Sequence, residues 1–422
     1  MAIDSEVLVV GGGLAGVTSA VAAARAGADV RLVSYKQSSL RQASGLIDVL
    51  GYVGDEVVVD PYDAIPELHE DHPYRLVGVE TVRDAMALFD ETVDGYHGDH
   101  TETNALLPTH GGTVKPTARY PAGAAEGVAS DDRDTLLVGF ERLVDFDAPL
   151  AASHVEAAGA PFSADGVTIT FPGDLQADAK VTRYAKLLDQ NSPVAVDGQK
   201  VDTRTALAER IAPHLDGHER VGFPAVLGDD HTDAVRATLA EELGVAVFEV
   251  PMGPPSLPGL RLEDRLFEAL DRSGTRYEVG NPVVDYEGED RIERVVVERN
   301  GSRVPYSADQ YVLATGGLVS KGVESDREGV REPIFDCHVP HPKDRYDWFE
   351  DGVFDDHAFA RFGVDVGSDL RPRAAGGSVE FENLRAAGAT IGGYDFAAEK
   401  SGSGVSIATG YAAGRAATED LT

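Results

Sequence analysis

A chain of 422 residues with a single cysteine, Cys337, is long enough for two or three domains and for a core that needs no covalent staples; it excludes an intrachain disulfide and a self-contained iron–sulfur cluster. Its 72 acidic and 37 basic residues give a formal charge of −35, and with no basic stripe to neutralise phosphates a nucleic-acid partner is excluded as well. The acids are spread over the whole chain with apolar residues between them, the pattern of a folded protein kept soluble in concentrated salt, where the Debye length falls to about 3 Å at 1 M.

Near the start, EVLVV (6–10) is an apolar, β-branched run that predicts a buried parallel strand. Gly11, Gly13 and Gly16 follow at G-x-G-x-x-G spacing, with Gly12 inside the same turn. The first glycine permits the tight turn, the second lets backbone approach a phosphate, and the third lets helix and strand pack closely. Residues 14–26 predict a helix of small side chains whose first amides face an anion, and ADVRLV (28–33) returns as a second strand. Ser34 then stands where such motifs place an acid on the adenosine ribose. A hydroxyl binds more weakly than a carboxylate. The expectation is therefore a ligand without adenosine, FMN, with FAD on a substituted contact as the alternative; NAD(P) fits less well.

Ser44 and Gly45 form a small-residue turn at the carboxyl ends of the strands, where ligands bind in doubly wound sheets. Residues 54–75 read as an acidic, proline-punctuated connection. Beyond 76 the pattern changes: TVRDAMALFDETVD (81–94) and RTALAERIAPHL (204–215) predict helices, while DTLLVGF (134–140), GVTITFP (166–172) and RVGFPAVLG (220–228) predict strands. The expected organisation is a Rossmann-like α/β ligand-binding domain in two parts, 1–75 and 236–422, with an inserted α+β cap at 76–235.

Residues 260–274 predict a helix closed by Gly274. Strands follow at 275–289 and 291–308, the latter a hairpin about Asn300-Gly301, and DQYVLATGG (309–317) is a buried strand ending in Thr315, Gly316 and Gly317. The terminal block carries Gly388, Gly392 and Gly393, then Ser403, Gly404 and Val405 at the start of a small-residue helix, a second anion-seeking N-terminus. The chain has no basic leader before its first strand and no run of about 18 apolar residues, which predicts a soluble, cytoplasmic protein that meets a membrane only through a partner.

The Gly-rich first turn, the YVLATGG strand and the terminal SGSGVSIATGYAAG block together resemble the two-dinucleotide-binding-domain flavoproteins. SSLRQASGLIDVL, LPTHGGTVKPT, PMGPPSLPGLRL, ATGGLVSKG, REPIFD and GGYD, in that order, are similar to the B-subunit family of the anaerobic glycerol-3-phosphate dehydrogenases. The resemblance implies a terminal helix aimed at the pyrimidine end of a flavin, where reduction places negative charge. It implies an FMN-bearing member of a catalytic pair, an FAD-bearing A subunit, and an iron–sulfur C subunit at the membrane. The implied reaction oxidises sn-glycerol 3-phosphate to dihydroxyacetone phosphate and passes electrons to a quinone. Ala389 departs from the family pattern, since related flavoproteins place an acid there on the ribityl chain. A fumarate-reductase-like or ketosteroid-dehydrogenase-like enzyme, and a flavin relay or scaffold without its own substrate site, remain open.

Lys115, Arg119 and Arg261 lie in or near the family-like loops and are candidates for a substrate phosphate, with a salt bridge to a neighbouring acid as the competing reading. His110 is the candidate base for alcohol oxidation. His69/His72, His97/His100 and Cys337/His338/His341 do not supply a zinc spacing, so no metal is expected.

Overall fold

The computed structural model describes residues 2–36, 38–173, 175–176, 179–196, 198–254 and 256–422, so Pro255 of the PMGPPSLPGLRL segment lies outside the described residues. The chain forms two compact units, one of residues 1–39, 48–94 and 264–422, the other of residues 40–47 and 95–263.

The first unit contains β1 (Ile3–Val10), α1 (Leu14–Arg25), β2 (Val30–Ser34), α2 (Val79–Thr92), β3 (Arg276–Val279), β4 (Val283–Gly288), β5 (Ile292–Arg299), β6 (Ser302–Leu313), β7 (Leu384–Ala386) and α3 (Gly402–Glu419). Its sheet runs β3-β2-β1-β6-β5-β4, with β7 beside β6. β1, β2, β3, β6 and β7 are parallel, and β4 and β5 add an antiparallel edge. Val7, Leu8 and Val9 have no exposed surface, which is why EVLVV is apolar on both faces rather than alternating. The expected hairpin strand and the expected DQYVLA strand are one strand, β6. Its first residues pair with β5 across Asn300-Gly301, both at positive φ, and its last pair with β1 and β7.

α1 and α3 lie side by side in the same direction. Gly410 stands opposite Ala15 and Gly414 opposite Ser19, so close that a Cβ at Gly410 would come within 2.5 Å of the Ala15 carbonyl oxygen. The Ser19 hydroxyl donates to the Gly410 carbonyl at 2.9 Å. α2 packs against α3, burying Val82, Ala85, Met86 and Phe89. This helix was expected in the inserted segment; its apolar face shows that it covers something, but periodicity does not say which layer.

The second unit is built on a four-stranded sheet in the order Ala164–Ile169, Thr135–Phe140, Arg220–Pro224, Ala246–Val250, parallel throughout. The insert therefore runs from 95 to 263 rather than 76 to 235, and its core is α/β; antiparallel pairing is confined to short ribbons such as 105–108 with 114–117. The last strand, AVFEV, closes the sheet and was missed because a five-residue apolar run fits either domain.

Between β6 and β7, Glu332 is fully buried, its carboxylate accepting from the Ile334 and Phe335 amides at 2.9 and 2.7 Å. Burial pushes its pKa up to about 7 and likewise raises that of the Cys337 thiol. A carboxyl whose folded pKa is raised stabilises the fold while protonated. That stability is fully present below about pH 4.5 and is lost as pH climbs through 7, in all roughly 3 kcal/mol. Melting from pH 5 to 8 in native salt is expected to lose stability more steeply for the wild type than for Glu332→Gln; equal slopes would contradict the assignment.

Candidate flavin-binding site

The turn between β1 and α1 is built as its glycines require. Gly11 has φ +119°, and a side chain there would fall on the Ala314 carbonyl at the end of β6; one at Gly16 would fall on the Gly11 carbonyl. Gly13 differs, since a Cβ there meets nothing within 4 Å. It is the N-cap of α1 and supplies no capping side chain, and the first turn carries no acid. The opening amides of α1 thus carry a partial positive charge that neither a capping side chain nor an acid in the helix's first turn offsets. Beside Gly11, the buried Thr315 Oγ1 has no hydrogen-bond partner among the described residues. A buried hydroxyl without a partner beside an uncapped helix pole fits a ligand that brings acceptors.

Ser34 closes β2 against Gly12, 3.0 Å from where a Gly12 Cβ would lie. Its hydroxyl donates to the Lys36 carbonyl at 2.9 Å. A hydroxyl that donates once still has lone pairs to accept from a ribose hydroxyl. The absent acid therefore does not by itself argue against an adenosine contact.

At the other end of the chain, α3 starts without a side-chain cap. The Gly404 amide donates to the Asp48 carbonyl at 2.8 Å, and the Val405 amide donates to the Ser401 carbonyl. The Ser403 hydroxyl accepts from the Asp48 amide at 2.7 Å and lies 3.2 Å from its carbonyl. These contacts commit the Gly404 and Val405 amides and the Ser403 side chain to holding the helix start in place. The donors left open there, among the described residues, are the Gly402 and Ser403 amides. Tyr74, which donates to the Val49 carbonyl, packs its hydroxyl against Gly404, and burial raises its pKa so that it remains a donor.

Between the helices, the Gly316 amide donates to Thr390 Oγ1 at 2.9 Å, and the Gly388 amide to Thr409 Oγ1 at 2.8 Å. Gly317 packs against the Ala389 carbonyl. Gly392 and Gly393 spend their amides on the carbonyls of Val364 and Arg361, so they make a close backbone crossing rather than open donors. The sequence reading missed Asp48, Thr390 and Thr409, which position the candidate backbone groups; residues that act through the backbone leave no spacing to find.

The helix register acts as a ruler. With Ala15 level with Gly410 and Ser19 with Gly414, Thr409 is level with Leu14, and α3 projects past the start of α1 by seven residues, about 10 Å. Two uncapped positive poles point the same way, staggered along one line. An elongated ligand with phosphate at one place and a charge-accepting ring farther on fits that stagger.

The remaining candidates belong to the second unit. Ser44 Oγ accepts from the Leu46 amide at 3.4 Å, while Gly45, at φ +80°, packs on Pro258 and accepts from the Tyr96 hydroxyl at 2.8 Å. Lys115 lies on a ribbon strand opposite Leu107. Arg119 is buried and donates to the Gly98 carbonyl at 2.8 Å and to that of Ala118. Arg261 is buried in a two-pronged ion pair with Glu249, at 2.7 and 3.1 Å, and also donates to the Gly228 carbonyl. As placed, Arg119 and Arg261 are engaged inside the second unit, Arg261 with the carboxylate that the competing reading expected. His110 Nδ1 accepts from the Gly253 amide at 3.2 Å, which leaves the hydrogen of the neutral ring on Nε2. In that tautomer its other ring nitrogen is a donor.

Two substitutions separate binding from folding. Gly13→Ala is expected to melt like the wild type yet lose at least tenfold in flavin affinity, whereas Gly16→Ala loses flavin and stability together; full flavin retention by Gly13→Ala would refute the phosphate placement. Arg261→Ala strands Glu249 as a buried charge and is expected to cost about 3–5 kcal/mol on denaturation. Unchanged stability with a raised KM for glycerol 3-phosphate would instead restore it as a substrate ligand.

The FAD-binding domain family model matches residues 6–405. The chain is 67% identical over 424 residues to a protein of Halobacterium salinarum named as the probable B subunit of an anaerobic glycerol-3-phosphate dehydrogenase, covering 100% of this chain and 99% of the relative. It is 30% identical over 424 residues to the B subunit of the anaerobic glycerol-3-phosphate dehydrogenase of Vibrio cholerae, covering 96% and 94%. Among solved structures it is similar to a 3-ketosteroid-Δ4-(5α)-dehydrogenase from Rhodococcus jostii, at 13% identity, TM-score 0.37 and coverage of 99% and 96%. It is also similar to a flavocytochrome c3 fumarate reductase, at 11% identity, TM-score 0.45 and coverage of 99% and 78%. The flavin that the matching family names is FAD, and the expectation of FMN finds no support: it rested on Ser34, whose hydroxyl keeps its accepting lone pairs. The chain belongs to the FAD-binding domain family and, within it, to the B-subunit family of the anaerobic glycerol-3-phosphate dehydrogenases.

Proposed function

We propose that this chain holds FAD along the α1–α3 pair. It serves as a flavin subunit of a dehydrogenase that converts sn-glycerol 3-phosphate to dihydroxyacetone phosphate, electrons leaving to a quinone through an FAD-bearing A subunit and an iron–sulfur C subunit. The observation that carries this reading is the staggered pair of uncapped, parallel helix poles in a chain 67% identical to a protein of that name. Among the described residues no helix is long and apolar enough to cross a membrane, and in this reading a partner provides attachment to the cytoplasmic face.

Bound flavin supplies the two-electron acceptor that alcohol oxidation requires. In this reading the Leu14, Ala15 and Gly16 amides take the phosphates, and Ser34 and Thr315 offer hydroxyls to the adenosine and ribityl side. The Gly402 and Ser403 amides stabilise negative charge at the pyrimidine edge; Asp48, through its backbone, keeps that helix start from fraying. Stabilising the charge of the reduced state raises the tendency to accept electrons.

A second reading, a relay in which the A subunit turns over the substrate, is favoured by the internal engagement of Arg119, Arg261 and His110. Acid release and mass identification are expected to return FAD; FMN would overturn that part. The assembled complex is expected to reduce an artificial acceptor with glycerol 3-phosphate, and no turnover would overturn the whole reading. Turnover by the isolated, flavin-loaded chain would exclude the relay.

A further inference from the structure

The serine at the N-cap of α3 does not cap. A capping serine stands in extended backbone and accepts a hydrogen bond from an amide of the helix's first turn. Ser401 instead lies at φ −124°, ψ −7°, and its side chain bonds to no amide of the helix. It has no exposed surface, and its hydroxyl donates the other way, to Glu399 Oε2 at 2.8 Å. Lys400, between the two at φ +52°, turns the chain so that their side chains meet.

Glu399 is itself held in place. The Tyr74 amide donates to His72 Nδ1 at 3.1 Å, which puts the hydrogen of the neutral ring on Nε2. That nitrogen lies 3.1 Å from Glu399 Oε2 and donates to it. The Asp395 amide donates to the other carboxylate oxygen at 3.2 Å. His72 has no exposed surface, so both of its ring nitrogens are committed inside the fold. Two donors fix the carboxylate, and the third bond it accepts is the one that occupies the Ser401 hydroxyl.

The consequence lies at the helix pole. The Ser403 amide, one of the two donors left open there among the described residues, is the amide that a capping Ser401 would take. A serine that caps and a ligand that brings an acceptor therefore compete for one donor. Tyr394 marks the same place. It is 3% exposed, its hydroxyl has no hydrogen-bond partner among the described residues, and it lies within electrostatic reach of both Tyr74 and Glu399. A buried hydroxyl without a partner beside open amides fits a ligand and not a self-sealed helix end.

We propose that Glu399, oriented by His72, is a positioning residue that keeps the α3 pole open: by engaging the Ser401 hydroxyl it stops that serine from capping an amide that meets the reduced flavin. This rests on the flavin placement proposed above. The charge of Glu399 alone acts in the opposite sense, since deleting an anion near a positive pole strengthens the binding of an anionic ring. The test is titration with oxidised and reduced FAD, and the midpoint potential of the bound flavin, for the full chain in native salt. Glu399→Ala frees the hydroxyl and is expected to bind reduced FAD about tenfold more weakly but oxidised FAD within about threefold, which lowers the midpoint potential. The double variant Glu399→Ala, Ser401→Ala has no hydroxyl to cap with and is expected to return to within about threefold of the wild type. Glu399→Gln is expected to do the same, because its amide oxygen still accepts from Ser401. Unchanged or tighter binding of reduced FAD by Glu399→Ala, or no recovery in the double variant, overturns the inference alone. A wild-type chain that takes up no FAD overturns the flavin reading and the inference with it.

Discussion

The close parallel approach of α1 and α3 is the constraint on which the candidate site depends. Gly410 and Gly414 remove the side chains that would hold the helices apart, and Ala15 and Ser19 present backbone to them. Parallel helices set like poles side by side, an arrangement that is mildly repulsive in isolation. Here both positive poles are also left without a side-chain cap. A ligand carrying negative charge relieves that repulsion and satisfies the open amides at once. The sheet serves the same end: β6 runs beside β1 and delivers Thr315 to the turn that starts α1.

The cations are used in an unusual way for so acidic a chain. Arg220 is fully buried, donates to the carbonyls of Arg133, Glu126, Val128 and Asp131, and lies over the Phe162 ring. Arg204, Arg119 and Arg261 likewise satisfy carbonyls inside the second unit. A planar guanidinium with five donors can close several backbone acceptors in one place. Acids on the surface keep the protein dispersed in salt, consistent with the Halobacterium relative, while arginines brace the interior.

How much of this was legible in the sequence follows from which residues act through side chains and which through backbone. The first turn was readable because Gly11 and Gly16 have no alternative: any side chain meets a carbonyl. The strand–turn–strand order and the Asn300-Gly301 hairpin were readable for the same local reasons. The boundary of the insert was not, since α2 is amphipathic wherever it packs and AVFEV carries no mark of its sheet. The internal partners of Arg119 and Arg261 were not legible, because a sequence shows a cation but not the carboxylate or carbonyl that folding brings to it. Ser34 misled by the opposite route: a missing acid was read as a missing contact, although a hydroxyl that donates locally can still accept.

The claim most exposed to refutation is that both helix poles serve one flavin. A crystal structure of the flavin-loaded chain grown in its native salt tests it directly. Phosphate oxygens within hydrogen-bond distance of the Leu14–Gly16 amides, together with the flavin N1/C2=O edge on the Gly402 and Ser403 amides, is the result this account predicts. A flavin bound with either pole facing solvent would contradict it.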